Sequence, residues 1–275
     1  MLIDVVIPIY NAFDALLNCL DSLEANQKGI NNVLLINDAS SDSRISALIN
    51  EYALKNHWDV IESFVNQGFV KTANLGLNQS KHNTLLLNSD TVVTKHWIQA
   101  FKKALMSVEN IGTITSWSNN AEICSFPNFL ENNQIPKNCD LIAKTLYKRW
   151  QPQYPEIPTA VGFCMLITKL AKSKVGFFNE TQFGHGYGEE NDYSMRVSQA
   201  KLKNILCDNA YVVHKGNESF VDLGLKPNEE TMDKLLKIHP GYLKLIQQYI
   251  ARDPLRGLRL DITNLLNQQG IDING

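Results

Sequence analysis

Three places in the 275-residue chain put acids or a histidine where they could do chemistry. Leu85-Leu86-Leu87 breaks off into Asn88-Ser89-Asp90-Thr91, the pattern of a buried strand ending at a carboxylate. Ligands of open parallel sheets sit beyond the carboxyl ends of strands. A carboxylate there can hold a hard divalent cation that in turn holds a diphosphate. An aspartate capping the following helix is the competing reading. The second place, Phe183 to Arg196, frees its backbone with Gly184, Gly186 and Gly188, then crowds Glu189, Glu190 and Asp192 into the start of a helix. Acids there suit the helix dipole, yet a carboxylate projecting from that end into a cleft could take a proton from an incoming hydroxyl. The third is His214, which follows the strand-like run Ala210 to Val213 and reads as a structural residue or a ligand.

The elements that must position these groups repeat. Leu2 to Ile7 reads as a strand stopped by Pro8, with Asn11 capping a helix that carries Leu16, Leu17, Leu20 and Leu23. Val33 to Ile36 is a second strand, running into Asn37-Asp38-Ala39-Ser40-Ser41-Asp42 and a helix through Ile45, Leu48, Ile49 and Tyr52. A third strand near Val60 to Phe64 leads to Asn66-Gln67-Gly68-Phe69 and a helix over Ala73 to Leu77. The leucine strand comes fourth, then a helix from Thr94 to Met106 and a strand from Ile111 to Thr115. Alternation at this interval means βαβ units: an α/β, Rossmann-like fold with a mostly parallel central sheet and helices on both faces. The polar clusters at 37–42, 66–69 and 88–91 then converge on one side of the sheet. Residues 117–136 read as a long binding loop, followed by a helix near Asp140 to Trp150. Ala160 to Thr168 reads as a strand in which Gly162 permits close approach, and Ile205 to Cys207 as a further one.

Composition narrows the class. With 44% hydrophobic residues the chain can bury a substantial core, and a net charge of -2 offers no field for nucleic acid. Five cysteines without a C-x-x-C pair read as reduced thiols in a cytoplasmic protein, and no apolar run reaches membrane-spanning length. Beyond Pro227 the chain turns helical and mildly basic. The division expected is a catalytic domain over 1–222 and a helical extension over 223–275. The apolar stripes of that extension would pack on the domain or on a second copy. Alternatively, with Lys234, Lys237, Lys244, Arg252, Arg256 and Arg259, it would lie peripherally on the inner face of the membrane.

Taken together and in order, these motifs resemble the family-two inverting glycosyltransferases of the GT-A fold over roughly residues 2 to 220. Val5-Val6-Ile7-Pro8-Ile9-Tyr10-Asn11 is similar to that family's first strand and sugar-nucleotide loop. Asn37 to Asp42 is similar to its base-recognition segment, with Asp38 accepting from the nucleobase imide, and Asn66, Gly68 and Asn74 match the lining of the nucleotide. Asn88-Ser89-Asp90 occupies the place of the Asp-x-Asp metal motif, Asn88 replacing the first acid. Gly188-Glu189-Glu190-Asn191-Asp192 resembles the acidic motif of the catalytic base, which lands on Glu190 with Glu189 and Asp192 as rivals. His214, with Gly216, Ser219 and Phe220, resembles the late segment that gives a further metal contact. The resemblance implies Mn2+ or Mg2+ on Asp90 and His214, a nucleotide-sugar donor of the UDP type, and a hydroxyl of a growing glycan or lipid-linked acceptor. A non-catalytic sugar-nucleotide or glycan-binding module is a competing reading, against which the intact acidic trio speaks. A nucleotidyltransferase would need a glycine- and basic-rich loop that residues 8–14 lack.

Overall fold

A computed structural model describes residues 1–184, 186–216 and 229–273, apart from the side chain of Glu229. His185, Ser219, Phe220, Pro227 and the expected boundary at 222/223 lie outside the described residues. The amino-terminal half runs β1 (Ile3–Ile9), α1 (Phe13–Ala25), β2 (Asn32–Asn37), α2 (Arg44–Asn56), β3 (Asp59–Glu62), α3 (Phe69–Gln79), β4 (Asn83–Leu87), β5 (Thr91–Val92), α4 (Trp97–Ser107) and β6 (Ile111–Trp117). After a 3-10 turn (Glu122–Cys124) come α5 (Cys139–Arg149), β7 (Cys164–Ile167), α6 (Lys169–Val175), α7 (Glu180–Phe183), α8 (Glu189–Gln199), β8 (Lys203–Tyr211) and β9 (Val213–His214). Three further helices follow: α9 (Glu229–Ile238), α10 (Tyr242–Arg252) and α11 (Arg256–Gln268).

The main sheet has the order β3-β2-β1-β4-β7-β6-β8. Its strands are continuous apolar runs because both faces are covered. Ile3, Val5, Ile7 and Ile9 of β1 face one core with α1, α2 and α4, whereas Val6 faces the other with α3 and α8. The sheet is mostly parallel, as its βαβ units require. The expected strand at 160–168 shrinks to β7, which runs antiparallel to both β4 and β6. The two strands expected around 205 and 210 are one, β8, bulged where Ser116 pairs Cys207 and Trp117 pairs Tyr211.

Pro8 does not stop β1. It lies beyond the last β1–β4 pair, Val6 with Leu86, and keeps its place opposite Ile36 of β2. A proline without an N–H is tolerated where a strand has lost one neighbour. That divergence of β1 from β4 opens a crevice at the carboxyl end of the sheet. Nor does Asn11 cap α1. It sits at φ 54°, the cap position is Ala12, and the Asn11 side chain is turned to the β2 loop. Leu235 and Tyr242 of the last helices join the core beneath α8, and Leu258, Ile262 and Leu266 join the larger one. Among the described residues no helix is long and apolar enough to cross a membrane.

The seat of α8 depends on a glycine. A Cβ on Gly112 of β6 would stand 2.3 Å from Val197 Cγ1 of α8. Valine is stiff at χ1 and cannot swing away, so Gly112→Ala must lift the helix. Overpacking of this kind costs about 1–3 kcal/mol, read as a lower denaturant midpoint at unchanged slope. An unchanged midpoint would mean that the helix is not held against the sheet there.

Candidate active site

The crevice is a cavity of about 350 Å³. Pro8 and Tyr10 line it from the end of β1, Asp38 from β2, and Asn66 and Gly68 from the loop before α3. Asn88, Ser89 and Asp90 enter from β4, His214 from β9, and Glu189 and Glu190 from the start of α8. The structure thus gathers eleven of the fourteen residues singled out in the sequence. Asn11, Asn74 and Asp192 are not part of the lining.

Asn11 and Asp38 shape one side of this cavity by tying its loops together. Asn11 Oδ1 accepts from the Ser41 and Asp42 amides at 2.9 and 3.3 Å, locking the β1 loop to the β2 loop. Asp38 reaches the next loop: its Oδ1 accepts from Gln67 N at 2.8 Å and its Oδ2 from Gly68 N at 2.9 Å, at the start of α3. Gly68 has φ 85°, a conformation that favours glycine. Each Asp38 oxygen keeps a lone pair after these bonds. Asn74 serves elsewhere. Its amide donates to Phe178 O and Glu180 and accepts from Phe178 N, which fixes the segment between α6 and α7.

Asp90 caps no helix: the cap of α4 is His96. It is 5% exposed, and the residue after it opens the two-stranded sheet in which Thr91 pairs with His214. Lys215 N donates to Asp90 O at 3.0 Å, closing the same ribbon. Asn119 holds the His214 backbone from both sides, accepting its N–H and donating to its carbonyl at 3.0 Å each. The ring of Phe163 stacks on the imidazole, centroids 5.1 Å apart. His214 Nδ1 lies 2.8 Å from Asn120 O. A carbonyl only accepts, so Nδ1 carries a proton and Nε2 is left facing Asp90 Oδ1 at 3.5 Å. With neutral imidazole that is one acceptor against another. Burial alone would push the imidazole pKa down, but Asp90 and the Asn120 carbonyl outweigh it and hold it above its ordinary value. Either a proton or a metal cation satisfies the pair. A carboxylate oxygen and an imidazole nitrogen suit a divalent cation of the Mn2+ or Mg2+ kind. Among the described residues no third acid, cysteine or histidine joins them.

The acids of α8 divide. Asp192 is 0% exposed, lies outside the cavity lining and is held by two partners, Arg196 and His239, both at 2.8 Å. Glu189 and Glu190 have buried Oε2 atoms that meet no N–H donor among the described residues. Burial, the Glu190 charge and the approach of the two carboxyls push Glu189 well above the usual carboxylate range. For Glu190, burial opposed by its backbone amides and reinforced by the Glu122 charge pushes the carboxyl up to about 7. Gly162 lies against it: a Cβ at that position would meet Glu190 Cβ and Cγ at 3.9 Å. Consecutive residues, Gly162 and Phe163, therefore touch Glu190 and His214 respectively.

Glu122, Asn120, Phe163 and Tyr187 also line the cavity and carry no motif of their own. The polar loop 117–136 and the glycine-flanked aromatic at 187 are the signals the sequence offers for them. Glu122 and Tyr187 both have positive φ, 47° and 67°, strain that singles them out only in three dimensions. The described lining holds five carboxylates (Asp38, Asp90, Glu122, Glu189, Glu190), one histidine, and no lysine or arginine.

Comparison with known proteins agrees with this geometry. Residues 4–173 match the family description "Glycosyl transferase family 2". Glycosyltransferase GlyA of Streptococcus pneumoniae serotype 4 (strain ATCC BAA-334 / TIGR4) is 24% identical over 229 residues, 80% of this chain and 32% of that protein, so the chain spans about a third of its relative. Among solved structures, GalNAc-T7 with UDP, GalNAc and Mn2+ superposes with a TM-score of 0.63 at 15% identity, covering 96% of this chain and 54% of that one. S. aureus TarS 1-349 in complex with UDP-GlcNAc gives 0.59 at 17% identity, covering 86% and 67%. The mannosyltransferase PcManGT from Pyrobaculum calidifontis, with GDP-Man and Mn2+, gives 0.55 at 13% identity, covering 95% and 79%. With well over half its length matched by the family description, and a seven-stranded sheet in a chain that superposes on these structures, the chain belongs to glycosyl transferase family 2 and has the GT-A fold.

Proposed function

We propose that the enzyme moves a hexose-type sugar from a nucleoside diphosphate donor, with UDP favoured, to a hydroxyl of a growing surface glycan, inverting the anomeric centre. The observation that carries this is the pairing within one cavity of a carboxyl with a raised pKa, Glu190, and two facing acceptors, Asp90 and His214. The reaction is a single displacement. The acceptor oxygen bonds to the anomeric carbon, Glu190 takes the hydroxyl proton, and the bond from that carbon to the diphosphate breaks, its electron pair leaving with the diphosphate. A carboxylate whose pKa lies near the working pH is an efficient base.

A lining with five carboxyl groups and, among the described residues, no lysine or arginine offers a diphosphate no cationic side chain to offset its charge. Asp90 and His214 would hold Mn2+ or Mg2+, which supplies the missing positive charge to the leaving group. Tyr10 and Asn66 flank the place of the nucleobase, whose imide would donate to a free lone pair of Asp38. UDP is favoured because two of the neighbours named above were solved with UDP or UDP-GlcNAc, the third with GDP-Man.

Four measurements check this. Glu190→Gln should lower turnover of the UDP-hexose substrate by about 10²–10⁴-fold while UDP affinity stays within about twofold; near wild-type transfer would remove Glu190 from the role. In the wild type, kcat/KM should fall roughly tenfold per unit as pH drops below the apparent pKa of the pair, because the protonated base cannot accept. A folded pKa near 7 against an ordinary 4.5 also means that Glu190 costs stability. That cost is absent below pH 4.5, grows up to pH 7 and is full above it, so Glu190→Gln should raise the Tm at pH 8 and not at pH 4. Finally, EDTA or Asp90→Ala should abolish transfer and weaken UDP binding; full activity in EDTA would contradict a metal on Asp90 and His214.

A further inference from the structure

His239, at the junction of α9 and α10, is 4% exposed and lies outside the cavity. Its Nε2 stands 2.8 Å from Asp192 Oδ1 and its Nδ1 3.4 Å from Gln199 Nε2. An amide nitrogen only donates, so Nδ1 accepts and Nε2 carries the proton given to Asp192. One neutral ring therefore grips α8 in its first turn and again at its last residue, about two turns further along. The other Asp192 oxygen is taken by Arg196 at 2.8 Å, whose guanidinium also donates to Val175 O and Phe177 O at 3.0 and 2.9 Å. The same carboxy-terminal segment meets the start of α8 once more: the Thr231 methyl is 3.1 Å from where a Gly188 Cβ would stand.

This hold matters because the first turn of α8 carries two buried carboxyl oxygens that meet no donor among the described residues, and they favour any outward movement that rehydrates them. We propose that His239 is a positioning residue for the transfer reaction: by bridging Asp192 and Gln199 it fixes the axis of α8 and so the direction in which Glu190 points. The inference rests on Glu190 as the base. It makes the carboxy-terminal helices part of the catalytic apparatus.

The test uses the full chain as His239→Ala, His239→Gln and, as a variant that changes only an exposed side chain, Gln199→Ala. Hydrogen exchange should quicken by about tenfold in peptides covering 188–199 for His239→Ala, and less for Gln199→Ala, with β1 and α3 unchanged. With Mn2+, UDP affinity should stay within about twofold, while kcat for hydrolysis of UDP-glucose, UDP-galactose or UDP-N-acetylglucosamine falls about 10–100-fold at unchanged KM, the scale of a misplaced catalytic group. Added imidazole should restore part of the His239→Ala loss, and glutamine, which replaces the Nε2 donor alone, should be intermediate. Unchanged exchange over 188–199 in both alanine variants would overturn the proposal, as would a uniform rise in exchange with loss of UDP binding. Full-rate turnover by Glu190→Gln would instead overturn the base assignment, and is separable because exchange in α8 reports on His239 without reference to turnover.

Discussion

The site depends on two acceptors forced to face each other. The Thr91–His214 pairing of the small β5–β9 ribbon brings Asp90 and His214 together, and the Asn120 carbonyl fixes the imidazole tautomer that turns Nε2 toward the carboxylate. Nothing in that arrangement is relaxed without a positive charge between them. Neighbouring groups are arranged to keep the pair fixed: Asn119 on the His214 backbone, Phe163 on its ring and Lys215 N on the Asp90 carbonyl. The arrangement is a polar one in a buried place, where an unmet acceptor is costly and a met one is strong.

Around that pair the sheet does two jobs. Divergence of β1 from β4 after Val6 and Leu86 makes the crevice, and the Asn11 and Asp38 side chains lace three loops across its mouth. The lacing uses backbone amides as donors, so these bonds add no cation to the crevice. An anionic ligand entering a lining rich in carboxyl groups therefore needs its counter-charge from elsewhere, while Glu190, its pKa raised by its surroundings to about 7, is suited in its ionised form to receive a proton.

Much of this was legible in the sequence, because strand ends announce themselves. The breaks from apolar run to polar cluster at 37–42, 66–69 and 88–91 placed Asp38, Asn66, Gly68 and Asp90 on one edge, and the three-glycine stretch pointed to Glu189 and Glu190. What stayed hidden was pairing between distant residues. Asn74 matches the nucleotide lining of the family it resembles, but its amide bonds Phe178 and Glu180, more than a hundred positions away. Asn11 looks like a cap but laces a neighbouring loop, and Asp192 looks like its acidic neighbours until Arg196 and His239 claim it. Glu122 has no periodicity around it, and Pro8 misleads because a proline ends a strand only where both neighbours persist.

The central claim is that Asp90 and His214 meet across a cation that carries the diphosphate. Anomalous diffraction from crystals grown with UDP and MnCl2 tests it most directly. The account predicts a manganese peak at Asp90 and His214, beside the bound UDP. UDP bound in the cavity with no such peak, the imidazole still hydrogen-bonded directly to Asp90, would contradict it.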